Sequence, residues 1–327
     1  MARIVVADRL PADAVEQLRA DHDVAAWGGD GPIPRMELLA RIRGAEAVLT
    51  SLRARVDAQF LDAAGESLRV VANVAVGYDN IDVAACDERG VVATNTPGVL
   101  VDATADTAFA LMLMATRRFG EAERIVRTRE PWAWGMDFLV GRAIEGRTIG
   151  IVGAGDIGMA MARRAHAFGM SVVYTKRSPL PPPSAQELGA RRVELDELLA
   201  TSDVVSLHCP LVPPGRPGST YHLIDAAALA RMKPTAYLVN TARGPIVDEA
   251  ALVTALREGQ IAGAGLDVYE REPSLDPGLF ELENVVLLPH LGSATRETRA
   301  AMADLAARNV LAVLAGRRAI SPVTSTR

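Results

Sequence analysis

Gly153-Ala154-Gly155-Asp156-Ile157-Gly158 is a G-x-G-x-x-G turn, and its setting decides the fold of this chain. The turn follows a short apolar run at Thr148–Val152 and opens a helical pattern at Gly158–Phe168, and another apolar run starts at Ser171. A turn of this type between a strand and a helix is typical of a dinucleotide-binding site. The alternative is a glycine-rich turn in an α/β protein that binds no cofactor.

The residues of the turn have distinct expected roles. Gly153 permits the tight turn, Gly155 lets the backbone approach a pyrophosphate, and Gly158 lets the helix pack closely on the strand. The helix begins near Asp156 and Ile157, where unpaired N–H groups and the positive end of the helix dipole favour phosphate. We therefore predict that these five residues contact a dinucleotide.

Short β-branched runs alternate with helical patterns on both sides of the turn, which predicts the α/β class with two doubly wound parallel sheets. The expected strands of the first sheet are Ile4–Ala7, Val24–Trp27, Ala47–Thr50, Val70–Val74 and Val91–Ala93. Those of the second sheet are Thr148–Val152, Ser171–Tyr174, Val204–Leu207, Ala236–Asn240, Gly263–Val268 and Val285–Leu288. A long apolar helix is expected at Asp102–Arg118. The tail after Pro289 is expected to form a helix at Glu297–Leu314 and no strand.

Composition bounds the class of protein. The 327 residues are 49% hydrophobic and 23% charged, which is enough apolar material for two cores. A net charge of −5 gives no general attraction to nucleic acid or to an anionic membrane surface. The two cysteines form no disulfide framework, and the first residues lack the pattern of a signal peptide. We therefore expect a cytoplasmic protein that binds neither nucleic acid nor membrane.

The end of the second strand of the second sheet predicts the choice of cofactor. NAD enzymes of this fold place a carboxylate there, about 20 residues beyond the glycines. This chain instead has Thr175, Lys176, Arg177 and Ser178, which would hold a 2′-phosphate. The prediction is therefore NADP, with NAD possible if the basic side chains point to solvent.

Three potentially chemical residues follow three strands of the second series. Arg243 follows Ala236–Asn240, Glu272 follows Gly263–Val268, and His290 follows Val285–Leu288. The carboxyl ends of parallel strands share one edge of the sheet, and ligands bind in the crevice outside that edge. Any one of the three could be a structural or surface residue, but their joint placement predicts a catalytic site.

These motifs resemble those of the D-isomer-specific 2-hydroxyacid dehydrogenase family over nearly the full length. The resemblance runs from Asn73–Asp82 through Thr94–Pro97 and the glycine turn to the three strand ends. Within the family, Asp102–Asp106, Ala264–Val268 and His290–Thr295 are most similar to glyoxylate/hydroxypyruvate reductases. The resemblance implies a Rossmann-type cofactor domain, residues 101–289, inserted in a smaller flavodoxin-like substrate domain made of residues 1–100 and 290–327.

The resemblance also implies the roles of the site residues. His290 would protonate the keto oxygen, Glu272 would orient its imidazole, and Arg243 would pair with the substrate carboxylate. No metal is expected. Further cofactor contacts are expected from Cys209, Thr241, Asp267 and Gly292. Further substrate contacts are expected from Leu52, Val76, Gly77 and Ser293.

The expected activity is reduction of a small 2-keto acid, glyoxylate or hydroxypyruvate, to the D-2-hydroxy acid. The alternatives are a 3-phosphoglycerate dehydrogenase-like enzyme and a nicotinamide-sensing binding protein like the corepressors that share this fold. A homodimer is also expected, because the helix Asp102–Arg118 is apolar and an aromatic arm at Pro131–Phe138 follows it.

Overall fold

The computed structural model describes residues 1–325, which form two compact units. One unit, here called the split unit, comprises Met1–Leu100 and the chain from Ser293 onward. The other, the continuous unit, is Val101–Gly292. The second boundary lies three residues beyond the expected one, so that His290 and Gly292 belong to the continuous unit.

The strands are short, and most are rich in β-branched or small apolar residues. They are β1 (Arg3–Val6), β2 (Asp23–Ala26), β3 (Ala47–Thr50), β4 (Val70–Asn73), β5 (Val92–Thr94), β6 (Thr148–Val152), β7 (Ser171–Thr175), β8 (Arg191–Arg192), β9 (Val204–Leu207), β10 (Tyr237–Asn240), β11 (Gly263–Leu266), β12 (Val285–Leu287) and β13 (Pro322–Val323).

Twelve α-helices lie between and after the strands in residues 1–325. They are α1 (Ala12–Arg19), α2 (Arg35–Arg41), α3 (Ala58–Ala64), α4 (Val83–Glu88), α5 (Val101–Thr116), α6 (Phe119–Arg127), α7 (Asp156–Ala167), α8 (Pro182–Glu187), α9 (Leu195–Thr201), α10 (Ala226–Arg231), α11 (Glu249–Arg257) and α12 (Arg296–Leu314). Within the described chain, no helix combines the length and the apolar character needed to cross a membrane.

The split unit contains a six-stranded sheet in the order β13-β5-β4-β3-β1-β2. Strands β1 to β5 are parallel and follow the flavodoxin-like order, which confirms the predicted fold class. The expectation of a tail without a strand is wrong, because β13 pairs antiparallel with β5. A two-residue strand that begins with proline carries no alternation from which it could be predicted.

The continuous unit contains a seven-stranded parallel sheet in the order β12-β11-β10-β9-β6-β7-β8. This is the doubly wound nucleotide-binding order. From β6 the sheet is extended first on one side, by β7 and β8, and then on the other side, by β9 to β12, so the switch point of the strand order lies between β6 and β9. Leu238 belongs to one apolar cluster and its neighbour Val239 to another, as expected for a strand buried on both faces. The crevice at the carboxyl ends of β6 and β9 is therefore the expected ligand site.

Helix α5 is a core element of the continuous unit. Leu111 and Met112 are fully buried, and the helix packs against α7, β10 and β11 of the same unit. The sequence argument that this helix needs a partner chain because it is apolar is therefore wrong, since its own unit covers it. The next helix, α6, buries none of its residues.

Candidate active site

The glycine turn has the geometry that its sequence predicts. Gly153 has a φ of +93°, and a Cβ there would lie 2.5 Å from the backbone nitrogen of Cys209. A Cβ on Gly158 would collide with the carbonyl oxygen of Gly153, so the helix packs closely on the strand. Gly155 has open space where its Cβ would be, and it immediately precedes α7. A phosphate can therefore approach the backbone at Gly155 and meet the first N–H groups of α7.

Two buried polar atoms without partners lie in residues that follow the neighbouring strands β9 and β10. Among residues 1–325, neither Nδ1 of His208 nor Oγ1 of Thr241 has a hydrogen-bond partner. Such orphaned groups in a native protein need an explanation, and a bound ligand is one. Together with the open space at Gly155, these atoms make the edge fit a dinucleotide.

His208 is a candidate cofactor-site residue that the sequence analysis did not identify. Its Nε2 lies 2.9 Å from the hydroxyl of Ser206, and burial lowers its pKa to about 4, so that the ring is neutral at pH 7. The signal was available, because His208 directly follows β9 on the same edge as the predicted catalytic residues. Cys209, the next residue, contacts the glycine turn through its backbone, while burial raises the pKa of its thiol to about 11.

The segment Thr175–Ser178, here called the basic turn, begins at the last residue of β7. Thr175 ends the strand, Lys176 is half-buried, and Arg177 and Ser178 are exposed. The guanidinium of Arg192, on the neighbouring strand β8, donates hydrogen bonds to the carbonyl oxygens of Lys176 and Arg177 at 3.1 and 3.2 Å. Arg192 therefore holds the backbone of the basic turn, a contribution that the sequence analysis missed.

His290 and Glu272 form a direct pair. His290 Nδ1 lies 2.7 Å from Glu272 Oε2, and Glu272 Oε1 accepts a hydrogen bond from the N–H of Tyr269. Burial alone would raise the pKa of Glu272, but the hydrogen bond and charge of His290, with smaller contributions from the Tyr269 N–H and the charge of Arg243, outweigh it and lower that pKa. The carboxylate therefore stays ionised and presents a negative charge to the imidazole.

The backbone around His290 is fixed by Asp267. The N–H of His290 donates to the carbonyl oxygen of Asp267, and the N–H groups of Leu291 and Gly292 donate to its two carboxylate oxygens at 2.6 and 2.7 Å. His290 itself has a φ of +58°, which is uncommon for a side-chain-bearing residue. Burial of the Asp267 carboxyl raises its pKa, against the lowering effect of these N–H groups. The visible role of this carboxylate is to shape the turn that presents His290.

Arg243 follows β10 in a turn packed against the loop of Glu272. Asn240 spans this turn, with its amide nitrogen donating to the Arg243 carbonyl at 2.9 Å and its amide oxygen accepting from the Ala242 N–H. A Cβ on Gly244 would collide with the backbone of Tyr269, so only glycine allows this approach. The structure thus brings Arg243, Glu272 and His290 together on one edge of the continuous unit, as predicted.

The remaining predicted residues belong to the split unit. Leu52 follows β3, and Val76 and Gly77 follow the neighbouring strand β4, so all three lie at the carboxyl edge of that sheet. The carbonyl oxygen of Ser293 accepts a hydrogen bond from the N–H of Thr295 ahead of α12. The substrate contacts of these four residues stay a prediction, as do the cofactor contacts of Asp267 and Gly292.

Comparison with known proteins identifies relatives of the whole chain. The family model described as D-isomer specific 2-hydroxyacid dehydrogenase, NAD binding domain, matches residues 109–292. A glyoxylate reductase of Thermococcus onnurineus is 48% identical over 315 residues, which are 95% of this chain and 92% of that protein. A glyoxylate reductase of Pyrococcus furiosus is 45% identical over 319 residues, with 96% and 93% of the two chains covered.

Solved structures agree with these relatives. A protein of Thermus thermophilus superposes with a TM-score of 0.90 at 44% identity, covering 98% of this chain and all of that one. An NADPH-dependent glyoxylate/hydroxypyruvate reductase of Sinorhizobium meliloti, solved with NADP and malonate, superposes with a TM-score of 0.83 at 37% identity, covering 98% and 96%. Since the likeness spans both units and the family model covers the glycine turn and the three strand ends, the chain belongs to the D-isomer specific 2-hydroxyacid dehydrogenase family.

Proposed function

We propose that this dehydrogenase reduces glyoxylate or hydroxypyruvate to the corresponding 2-hydroxy acid, the D-isomer in the case of hydroxypyruvate, with NADPH as the preferred cofactor. The observation that carries the proposal is the His290–Glu272 pair, a proton donor with an ionised partner, on the same sheet edge as the glycine turn. The relatives at 48% and 45% identity are glyoxylate reductases, which supports these substrates.

The proton in this reaction comes from His290. With Nδ1–H donating to Glu272, the Nε2–H of the charged imidazole is left for the keto oxygen. The reduced nicotinamide, when bound, supplies the hydride that adds to C2 of the keto acid. The oxygen therefore gains its proton as negative charge develops on it, and the imidazole ends neutral. Glu272 favours the charged imidazole before transfer and keeps the ring in one orientation.

The carboxylate of the substrate requires cationic and N–H donors. Arg243 has a planar fork of donors that suits a carboxylate, and its backbone is fixed by Asn240 and Gly244. The backbone N–H groups of Val76 and Gly77 are proposed as the second set of donors. Fixed donors hold the substrate carboxylate in one orientation, which lowers the entropy cost of the reaction.

The preference for NADPH rests on the basic turn. Within residues 1–325, neither Lys176 nor Arg177 has a carboxylate partner, so both side chains can serve a ligand anion. A 2′-phosphate would receive charge-assisted hydrogen bonds from Arg177 and Ser178. The Sinorhizobium meliloti relative that was solved with NADP is named an NADPH-dependent reductase, which supports the same preference here.

A homodimer completes the proposal. The arm at Pro131–Phe138 exposes Trp134 to 79% and Met136 to 84%, and Trp132 stacks on Phe138 with ring centroids 6.2 Å apart. The adjoining helix α6 has no buried residue. A second copy of this chain would cover these apolar side chains, which are otherwise costly to leave in water. We also place the protein in the cytoplasm, since both cysteines in the described chain are free thiols.

The experiment is turnover of the purified protein. NADPH oxidation is followed with glyoxylate, hydroxypyruvate, pyruvate and 3-phosphohydroxypyruvate, and the configuration of the glycerate product is determined. Efficient turnover of the first two keto acids and formation of D-glycerate support the proposal. Tight cofactor binding without turnover of any keto acid would instead indicate a nicotinamide-sensing binding protein, and a preference for the phosphorylated acid would indicate a 3-phosphoglycerate dehydrogenase-like enzyme.

A further inference from the structure

In the loop after β4, three successive carbonyl groups accept hydrogen bonds, while two backbone N–H groups have no partner among residues 1–325. The carbonyl oxygens of Ala75, Val76 and Gly77 accept hydrogen bonds from the Thr96 N–H, the Asn95 side chain and the Asn73 side chain, each at 2.8 Å. Within residues 1–325, no hydrogen bond engages the N–H groups of Val76 and Gly77. Unpaired N–H groups in succession form a site suited to an anion.

Bonding the carbonyls fixes the N–H groups through covalent geometry. In a trans peptide, the C=O of one residue and the N–H of the next point in opposite directions. The bond between Thr96 and the Ala75 carbonyl therefore sets the direction of the Val76 N–H. In the same way, the bond from Asn95 to the Val76 carbonyl sets the direction of the Gly77 N–H.

Asn95 is in turn held by residues from the end of the chain. Its N–H donates to the carbonyl of Ser321 at 3.2 Å, and the Ser321 hydroxyl donates to the carbonyl of Asn95 at 2.6 Å. The side chain of Asn309, on α12, donates to the Ser321 hydroxyl and accepts from the Ser321 N–H. A continuous polar chain thus runs from Asn309 through Ser321 and Asn95 to Val76.

The two asparagines of this polar chain are buried and Ser321 is half-buried, so that breaking their hydrogen bonds is costly. Asn309 is 0% exposed and Asn95 is 8% exposed. A buried amide loses its bonds to water and stabilises the fold only if every donor and acceptor finds a partner. Asn309 meets this requirement with Ser321 and with the carbonyl of Leu305. Removing the Ser321 hydroxyl would leave Asn95 and Asn309 each with one unpaired group.

We propose that the chain Asn309–Ser321–Asn95 positions the N–H groups of Val76 and Gly77 for the carboxylate of the keto acid. Asn95, Ser321 and Asn309 are then positioning residues that act through the loop and touch no substrate themselves. The proposal rests on the proposed function, because it takes the 2-keto acid as the anion that this loop binds.

The test compares two serines of the same terminal segment. Ser321→Ala removes the hydroxyl that holds Asn95, and we expect the KM for glyoxylate to rise about tenfold, the equivalent of one lost hydrogen bond to a charged group. The KM for NADPH should stay unchanged, because NADPH is proposed to bind the continuous unit. Ser321→Thr keeps the hydroxyl and should restore the KM. Ser325→Ala is the matched control, since the Ser325 hydroxyl donates to Asp87 on α4 and not to Asn95.

A second variant acts closer to the loop. Asn95→Asp keeps the shape but replaces the donor to the Val76 carbonyl with an acceptor, so it should raise the KM for glyoxylate at least as much as Ser321→Ala. If wild type turns over glyoxylate and both variants keep the wild-type KM, the positioning role is overturned while the proposed function stands. A rise with Asn95→Asp alone also overturns the role of Ser321. Failure of wild type to turn over any keto acid overturns the proposed function itself.

Discussion

Nδ1 of His290 lies 2.7 Å from Oε2 of Glu272, close enough for each charge to stabilise the other. The pKa of Glu272 is lowered below its ordinary value of 4.5, so its carboxylate is ionised throughout the neutral range. Across that range the negative charge beside His290 is therefore constant.

Glu272→Gln should move the pH profile of reduction downward. The amide offers no negative charge to the proton donor, so the rate of reduction should fall at a lower pH than in the wild type. The measurement is kcat/KM for glyoxylate across neutral pH. Glu281→Gln is the control, because Glu281 is exposed and pairs with Arg257. An unchanged profile in Glu272→Gln would contradict the pairing as a functional contact.

His290→Ala and Arg243→Ala should each lower kcat/KM by about 100-fold or more, the usual loss for a general acid or an electrostatic anchor. His166→Ala is the control for the first substitution, since His166 is an exposed histidine on α7. Steady-state kinetics with glyoxylate and NADPH check both. Near-normal activity in His290→Ala would remove the assigned proton donor.

Asp267→Asn separates two roles of this residue. If Asp267 acts through the turn of His290, the amide places a donor against the N–H of Leu291 or Gly292, and kcat should fall about tenfold because one such bond is lost. Binding of NADPH, measured by fluorescence titration, should then change little. Weaker NADPH binding with unchanged kcat would instead indicate the direct cofactor contact predicted from the sequence.

Arg177→Ala should weaken NADPH and leave NADH nearly unchanged. A charge-assisted hydrogen bond to the 2′-phosphate contributes about 1.5–3 kcal/mol, so the KM for NADPH should rise by about tenfold or more. Arg191→Ala is the control, because Arg191 pairs with Glu197 while its neighbour Arg192 holds the basic turn. A wild-type preference for NADH would show that the missing carboxylate had been over-interpreted.

Light scattering at micromolar concentration should give twice the chain mass of 34.7 kDa. Combined Trp134→Ser and Met136→Ser substitutions remove exposed apolar area from the arm and should shift the protein toward the monomer. Exposed Phe280, which lies outside the arm, supplies the control Phe280→Ser. A monomeric wild type would refute the dimer.

Local patterns in the sequence predicted the two sheets and the edge of the second sheet where the candidate catalytic residues lie. The glycine turn, the β-branched runs and the residues after each strand are all short-range signals, and the shared edge follows from parallel pairing. Arg243, Glu272 and His290 could therefore be brought together without a structure.

The supporting contacts could not be predicted, because they join distant parts of the chain. Ser321 and Asn95 are separated by 226 residues, and no periodicity links them. In the sequence, Arg192 has the pattern of a surface cation, and only the structure shows its hydrogen bonds to the backbone of the basic turn. For helix α5 the sequence led to a wrong argument, because an apolar helix is equally consistent with a core and with an interface between chains.

The pairing of β13 with β5 bears on the order in which this protein is made. Synthesis proceeds from the N-terminus, so Val101–Gly292 emerges whole while the sheet of the split unit still lacks α12 and its edge strand. Until then the apolar side of β3 and β4 that α12 covers stays open to solvent. A nascent chain therefore completes its cofactor-binding unit first, and the loop after β4 acquires its support from the end of the chain only when translation reaches Ser321.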